Sequence, residues 1–445
     1  MTRSAELHVG RAHLAVTVPA PAHVDVLRKP LTAALDDPAA AVAAALDRPI
    51  GCAPLSLLAA DATSACIVVC DVTRPVPNGL LLRPLIERLL AGGMRLDAIT
   101  VLVATGLHRP NLGDELRAVI GDDWVLEHVR VRNHDARDAE RQLHLGTTPV
   151  RGTPIDLDRA FVEADLHIVT GLVEPHFMAG YSGGRKVVAP GVAGERTIRM
   201  LHATRYMADP LASTAILEAN PRHEELLAIV ASVAPVFAVN TVIDEARRLA
   251  FVNAGEVAAS HAQAVAFART CSEVACELPY DLIVTSAGGH PLDATYYQTV
   301  KAMVTPLEAL AEGGDLVVLS ACSEGLGSAA FRDAQARLAQ LGRDDFLASL
   351  RAKALADVDE WQTQMLLRST ASARVHLATD GLDADDLALT GVGRCDDVDA
   401  FVHAYVRRRP QARVALLPEG PYVVPRRSDS MGGGDLAAAH GAPAR

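Results

Sequence analysis

The sequence predicts an α/β protein of two domains, each a parallel-type sheet flanked by helices, with the active site in the interdomain cleft. Three observations predict it. Short runs at 66–70, 99–104, 166–170, 282–285 and 316–319 are almost wholly apolar, as strands are when helices cover both faces of their sheet. Amphipathic stretches such as 81–91 and 114–120 follow such runs, and strands alternating with helices indicate parallel pairing. Each of the five runs also ends in a loop rich in Gly, His, Asp, Arg or Ser. In parallel sheets ligands sit beyond the carboxyl ends of the strands, so these loops are where a site is expected.

At 445 residues the chain is long enough for two or three domains with sizeable cores. Its 50% hydrophobic and 22% charged residues are a globular balance. A net charge of -12 argues against nucleic acid as a partner. It leaves room for a small anionic substrate in a locally cationic cleft. No uninterrupted apolar segment suggests a secretory signal or a membrane span. The seven cysteines, at 52, 66, 70, 271, 276, 322 and 395, form no CxxC pair. Reduced thiols and a cytoplasmic location are therefore expected.

In chain order, residues 1–30 read as strands with a turn. The alanine-rich 31–46 reads as a helix by propensity. The strand–helix alternation then runs to about 205, and a further helix is expected at 258–267. A boundary near 270–278 divides an N-terminal domain, 1–275, from a C-terminal domain, 276–425. The Gly/Ala/Ser-rich stretch 426–445 is expected to be a disordered tail.

The densest stretch is 171–202, GLVEPHFMAGYSGGRKVVAPGVAGERTIRMLH. Gly183 and Gly184 let backbone approach a bound group closely. Lys186 follows them among Val187, Val188 and Ala189; desolvation there lowers an amine's pKa and frees it for covalent chemistry. Taken alone it reads more readily as a solvated surface lysine, and the rest of the chain changes that balance. His108 and His176 each follow a strand, and His202 is a third imidazole; such groups serve as acid, base or metal ligand. Arg74, stiffened by Pro75 and Pro77, suits a carboxylate or phosphate. Asp71 is either its salt-bridge partner or a holder of a ribose hydroxyl. Beyond Gly288 and Gly289, Gln298 and Lys301 lie three apart on one face of an expected helix, placed to hold an anion. Trp361 reads as a packing residue.

Together, DVTRPVP at 71–77, TGLHRP at 105–110, GLVEPHFMAGYSGGRKVVAPGV at 171–192, His202 and YYQTVKA at 296–302 resemble the nickel-pincer lactate racemase family, in family order. The resemblance implies a pyridinium mononucleotide with two sulfur-containing arms and a nickel ion, covalently attached to Lys186. It implies His202 as nickel ligand and His108 and His176 as the catalytic acid/base pair. Arg74, Gln298 and Lys301 would hold substrate. Asp71, Thr73, Gly183, Gly184, Gly288, Gly289, Tyr297 and Trp361 would contribute to the cofactor pocket. It also implies cofactor-maturation enzymes as partners and lets the segment 415–424 return to the first domain as a last strand.

The expected activity is racemisation or epimerisation of a 2-hydroxy acid through a 2-keto acid. Removing hydrogen as hydride avoids a carbanion beside a carboxylate and needs an electrophilic acceptor. Two histidines on opposite faces serve both directions, and a soft sulfur-rich environment with one imidazole suits nickel. Two other readings stand beside it: a zinc hydrolase using the three histidines, and a non-catalytic binder of a hydroxy acid or of the cofactor.

Overall fold

The computed structural model describes residues 2–276 and 279–427, so the stretch 428–445 of the expected tail lies outside the described residues. The chain divides into two compact units, one of residues 31–269 and one of residues 1–30 together with those from 270 onward. The N-terminal thirty residues thus belong with the C-terminal part, not with the 1–275 domain expected from sequence.

The 31–269 unit holds a six-stranded sheet in the order Leu249–Glu256, Val236–Ile243, Leu166–Leu172, Ala65–Cys70, Ile99–Ala104, Arg130–Asn133. All neighbours are parallel except the first pair. Successive side chains of a strand point to opposite faces. Ile67 and Val69 accordingly pack with Leu81, Leu85 and Ile86 on one face. Cys66 and Val68 pack with Val188, Ile198 and Ile229 on the other. Burial on both faces is why these strands are apolar throughout. From Ala65–Cys70 the chain steps outward through two strands on one side, and Leu166–Leu172 later pairs on its other side. This reversal is a topological switch point, the usual ligand position in open α/β sheets.

In the other unit a parallel sheet runs Gly393–Arg394, Ala373–Ala378, Leu310–Leu319, Tyr280–Ser286, Arg413–Leu417, His23–Val26. The hairpin Arg3–Val9/Ala12–Val18 lays Leu7, Val16 and Val18 against Leu282, Val284 and Leu416 of this sheet. The stretch 415–424 does not return to the 31–269 unit. Its first half lies in this sheet, between Tyr280–Ser286 and His23–Val26. Val424–Arg427 pairs with Glu273–Cys276, so Arg426 and Arg427 belong to a strand rather than to a tail.

The helix expected over 31–46 forms only at Pro38–Asp47, where the Asp37 side chain accepts from the Ala40 N–H and Pro38 occupies the first turn. Capping and proline chemistry override the alanine propensity of the residues before it. All seven cysteines are free thiols. Among the described residues no helix is long and apolar enough to cross a membrane.

Candidate active site

The loops after the three central strands of the 31–269 unit carry Asp71, Thr73 and Arg74, then His108, then Glu174 and His176. Asp71 is buried beneath His108, with Oδ2 at 2.7 Å from Nδ1. Its other oxygen accepts from the Thr73 hydroxyl at 2.6 Å and the Thr73 N–H at 3.2 Å. Burial pushes the Asp71 carboxyl up, but the bonds from His108 and Thr73 outweigh it and hold it below the ordinary value. An ionised carboxylate only accepts, so Nδ1 of His108 carries the hydrogen and Nε2 presents a lone pair. Of the residues expected against the cofactor, Asp71 is in this structure engaged with His108, and Thr73 with Asp71.

His176 is held the other way round. Its Nδ1 accepts from the N–H groups of Met178 at 3.3 Å and Ala179 at 3.2 Å, and its ring stacks on Phe177 with centroids 5.2 Å apart. With Nδ1 an acceptor, the hydrogen of the neutral ring sits on Nε2. The two candidate acid/base groups therefore stand in complementary tautomers, one with a lone pair and one with a proton on Nε2. Arg74 forms an ion pair with Glu174, not with Asp71, and so ties the 71–77 loop to the loop that carries His176.

Lys186 lies in the single turn Arg185–Val188, half-buried, with no carboxylate partner among the described residues. Burial, then the charges of Arg74, Arg222 and Arg185, hold its amine well below the ordinary lysine value. The two glycines before it have φ of 75° and 48°. A Cβ on Gly183 would meet Val173 at 2.6 Å, and one on Gly184 the His261 ring at 2.8 Å. These glycines allow the loop to pack against its own chain, a use sequence reasoning did not anticipate.

His202 closes the helix Glu195–Leu201, where its Nδ1 donates to the Ile198 carbonyl at 2.8 Å. That bond fixes the Nδ1–H tautomer and aims the Nε2 lone pair inward, the arrangement usual for a metal-ligating histidine. Burial first, and the Arg222 charge second, hold the ring well below the ordinary histidine value, so it is neutral. Nε2 faces Arg222 Nη2 at 3.1 Å. Arg222 enters on the first turn of Pro221–Ala231, whose start is capped by the Asn220 side chain. Sequence reasoning missed Arg185, Arg222, Glu174 and His261. Arg185 donates to the Ala179 carbonyl at 2.8 Å and meets the His261 ring at 2.8 Å. No spacing signals that an arginine is buried.

His108, His176 and His202 do not form a zinc site. Among the described residues no three His, Cys, Asp or Glu side chains gather as a metal-holding group. What the chain offers is one inward-facing imidazole, an amine of lowered basicity, and two buried arginines that meet no carboxylate among the described residues.

In the other unit, Gln298 and Lys301 lie on the helix Tyr296–Val304, opened by Thr295, whose hydroxyl accepts from the Gln298 N–H at 3.3 Å. The Oε1 of Gln298 is buried without a hydrogen-bond partner. Tyr297 is bridged to Trp361, whose indole N–H reaches the phenol oxygen at 3.3 Å, and Gln362 donates to the Tyr297 carbonyl at 2.5 Å. Trp361 is buried, as a packing residue would be. Gly288 and Gly289 turn the chain after Tyr280–Ser286, close to Tyr422 and His8.

Comparison with known proteins finds two family matches, the lactate racemase N-terminal domain over residues 9–215 and the lactate racemase C-terminal domain over 275–424. The lactate racemase of Thermoanaerobacterium thermosaccharolyticum is 30% identical over 395 residues, covering 86% of this chain and 89% of that protein. The lactate racemase of Lactiplantibacillus plantarum is 31% identical over 383 residues, covering 85% and 89%. The structure of the T. thermosaccharolyticum lactate racemase apoprotein matches with a TM-score of 0.85 at 28% identity, over 95% of this chain and all of that one. A Thermotoga maritima protein shares the fold, with a TM-score of 0.61 at 18% identity over 84% and 96%.

Proposed function

The chain belongs to the lactate racemase family and is an isomerase, and from that premise we propose that it interconverts the configurations of a 2-hydroxy acid with a nickel-pincer nucleotide covalently held by Lys186. The observation that carries the reading is the complementary pair His108 and His176, tied by Asp71, Arg74 and Glu174 to the loops that also hold Lys186.

When bound, the nickel-pincer nucleotide supplies an electrophilic acceptor for hydride. The residues supply the rest. Lys186, whose basicity burial and the neighbouring arginines hold well below the ordinary lysine value, is the attaching amine. His202 Nε2 is the protein's ligand to nickel, and the unpaired cations Arg185 and Arg222 suit the anionic groups of a nucleotide. His108 Nε2 takes the hydroxyl proton of one enantiomer as its C–H hydrogen leaves, giving a planar 2-keto acid. His176, protonated from solvent and with Nδ1 released from the Met178 and Ala179 N–H groups, gives its Nε2 proton to the ketone oxygen as hydrogen comes back on the opposite face, and His108 releases its own proton to solvent. The reverse direction exchanges the two roles. Asp71 stabilises the imidazolium that His108 becomes. Arg74 exchanges Glu174 for the substrate carboxylate, and in the other unit Gln298 and Lys301 are the candidate donors to an anion.

The test is production in cells that supply the cofactor-maturation enzymes and nickel, followed by incubation with single-enantiomer 2-hydroxy acids differing in their second substituent. Loss of optical purity of at least one, measured by chiral chromatography, is expected. Protein that carries the cofactor mass and racemises none of them overturns the reading.

A further inference from the structure

We propose that Arg222 is a cationic placeholder at His202, which keeps bare divalent metal off Nε2 and yields only to metal delivered inside an anionic ligand. The inference rests on the reading of His202 as the metal-binding residue and goes beyond it. Arg222 is 1% exposed. Its Nη2 points at His202 Nε2 at 3.1 Å, its Nη1 at the Met207 sulfur at 3.0 Å, and its Nε has no partner. An imidazole and a thioether are weak acceptors for a guanidinium, and no carboxylate among the described residues compensates its charge. A buried arginine held in this way lacks the counter-charge that such groups ordinarily have.

The atom Arg222 caps is the one a metal needs. Its Nη2–H donates into the Nε2 lone pair, so a metal ion must displace it. A bare dication would then stand beside a displaced guanidinium, with Lys186 and Arg185 close enough to influence one another's charge. Among the described residues no acidic side chain pairs with these cations to offset the repulsion, which is strong where water is excluded. A metal already bound by sulfur and carrying carboxylate or phosphate reverses the sign. Those groups give the displaced Nη2 and the unpartnered Nε of Arg222 the acceptors they lack. The same arginine thus rejects the free ion and welcomes the complexed one.

Equilibrium dialysis of the purified, cofactor-free protein against Ni2+ tests this. Wild type and Arg222→Lys, which keeps the charge, are expected to take up no nickel dependent on His202. Arg222→Met is expected to bind about 10²-fold more tightly, and the added His202→Ala substitution should abolish the gain. Arg222→Gln keeps donors for Met207 and removes only the charge. It serves as the second neutral variant if circular dichroism shows Arg222→Met to be unfolded. A folded neutral variant that binds Ni2+ no better than wild type overturns the placeholder, as does wild type binding free Ni2+ through His202. Nickel analysis of His202→Ala from cofactor-maturing cells tests the underlying reading separately. Full nickel there removes His202 as ligand, whereas lost nickel with no gain in the neutral variants removes only the role of Arg222.

Discussion

In the 31–269 unit two fully buried guanidiniums, Arg185 and Arg222, face histidine rings, a carbonyl and a thioether, and neither meets a carboxylate. In the other unit two buried carboxylates are held by cations, while a third, Asp293, meets only the N–H groups of Gly10 and Ala321 through one oxygen and leaves the other unpartnered. Asp315 is gripped by Arg374 and His376, and Glu360 by Arg337 and Lys353. Unpartnered buried atoms there include the neutral amide oxygens of Gln298, Gln335 and Gln362. Uncompensated charge is costly and persists where a ligand or a reaction uses it. An unpartnered amide costs less and suits recognition. On the proposed function, covalent and proton chemistry fall to the first unit and substrate recognition to the second.

The largest expected effect is at Lys186. Lys186→Ala should eliminate the denaturation-resistant cofactor mass increment, seen by whole-protein mass spectrometry. An increment that survives the substitution would place the attachment elsewhere and break the contrast. Next come the two histidines. Either alanine variant should lower turnover in both directions by about 10²–10⁴-fold. In single-turnover absorbance traces the two variants should prefer opposite enantiomers; a shared preference would mean that only one of them transfers protons.

Asp71→Asn should cost less than the roughly 10⁴-fold seen for a triad aspartate, because His108 reaches solvent and can reorient. The loss should fall in kcat, and a pure KM effect would count against the dyad. Lys301→Met, in the recognising unit, should instead raise KM about tenfold with little change in kcat, the cost of one charged hydrogen bond. An equal fall in kcat would erase the division of labour.

The smallest effect is on stability in acid. Burial holds His202, His261 and His223 below the ordinary 6.5, His223 at about 4. The unfolded chain binds those protons more readily, so the unit is fully stable above about pH 6.5 and loses stability as pH falls toward 4. In the other unit only the hairpin histidine His8 is held down among the described residues, and Asp315, held below 3.8, loses its contribution only in stronger acid. Each unit holds one of the two tryptophans, Trp124 and Trp361. Acid titrations of Trp124→Phe and Trp361→Phe should show the 31–269 unit opening at the higher pH, and coincident transitions would refute this.

Strands buried on both faces announce themselves as apolar runs, so 99–104 and the cores of the other central strands were legible from sequence. The reactive side chains were legible because His, Lys and Arg at strand ends are chemically conspicuous. Two kinds of fact were not. The partner of Asp71 and the burial of Arg222 depend on which loops meet, and neither leaves a periodic trace. The pairing of His23–Val26 with Arg413–Leu417 joins opposite ends of the chain, beyond the reach of any local pattern.

That last pairing bears on biosynthesis. The strand His23–Val26 leaves the ribosome long before its partner Arg413–Leu417 is made. The six strands of the 31–269 sheet have all been synthesised by residue 256, so that unit can close while translation continues. The sheet of the other unit cannot. Until its late strand arrives, the N-terminal strand and hairpin trail as unpaired edges, the kind of surface on which chains aggregate. A premature stop shortly after residue 270 would therefore release a finished reactive unit attached to a sticky leader. Slow synthesis of the final third of the chain lengthens the same exposure in every normal copy.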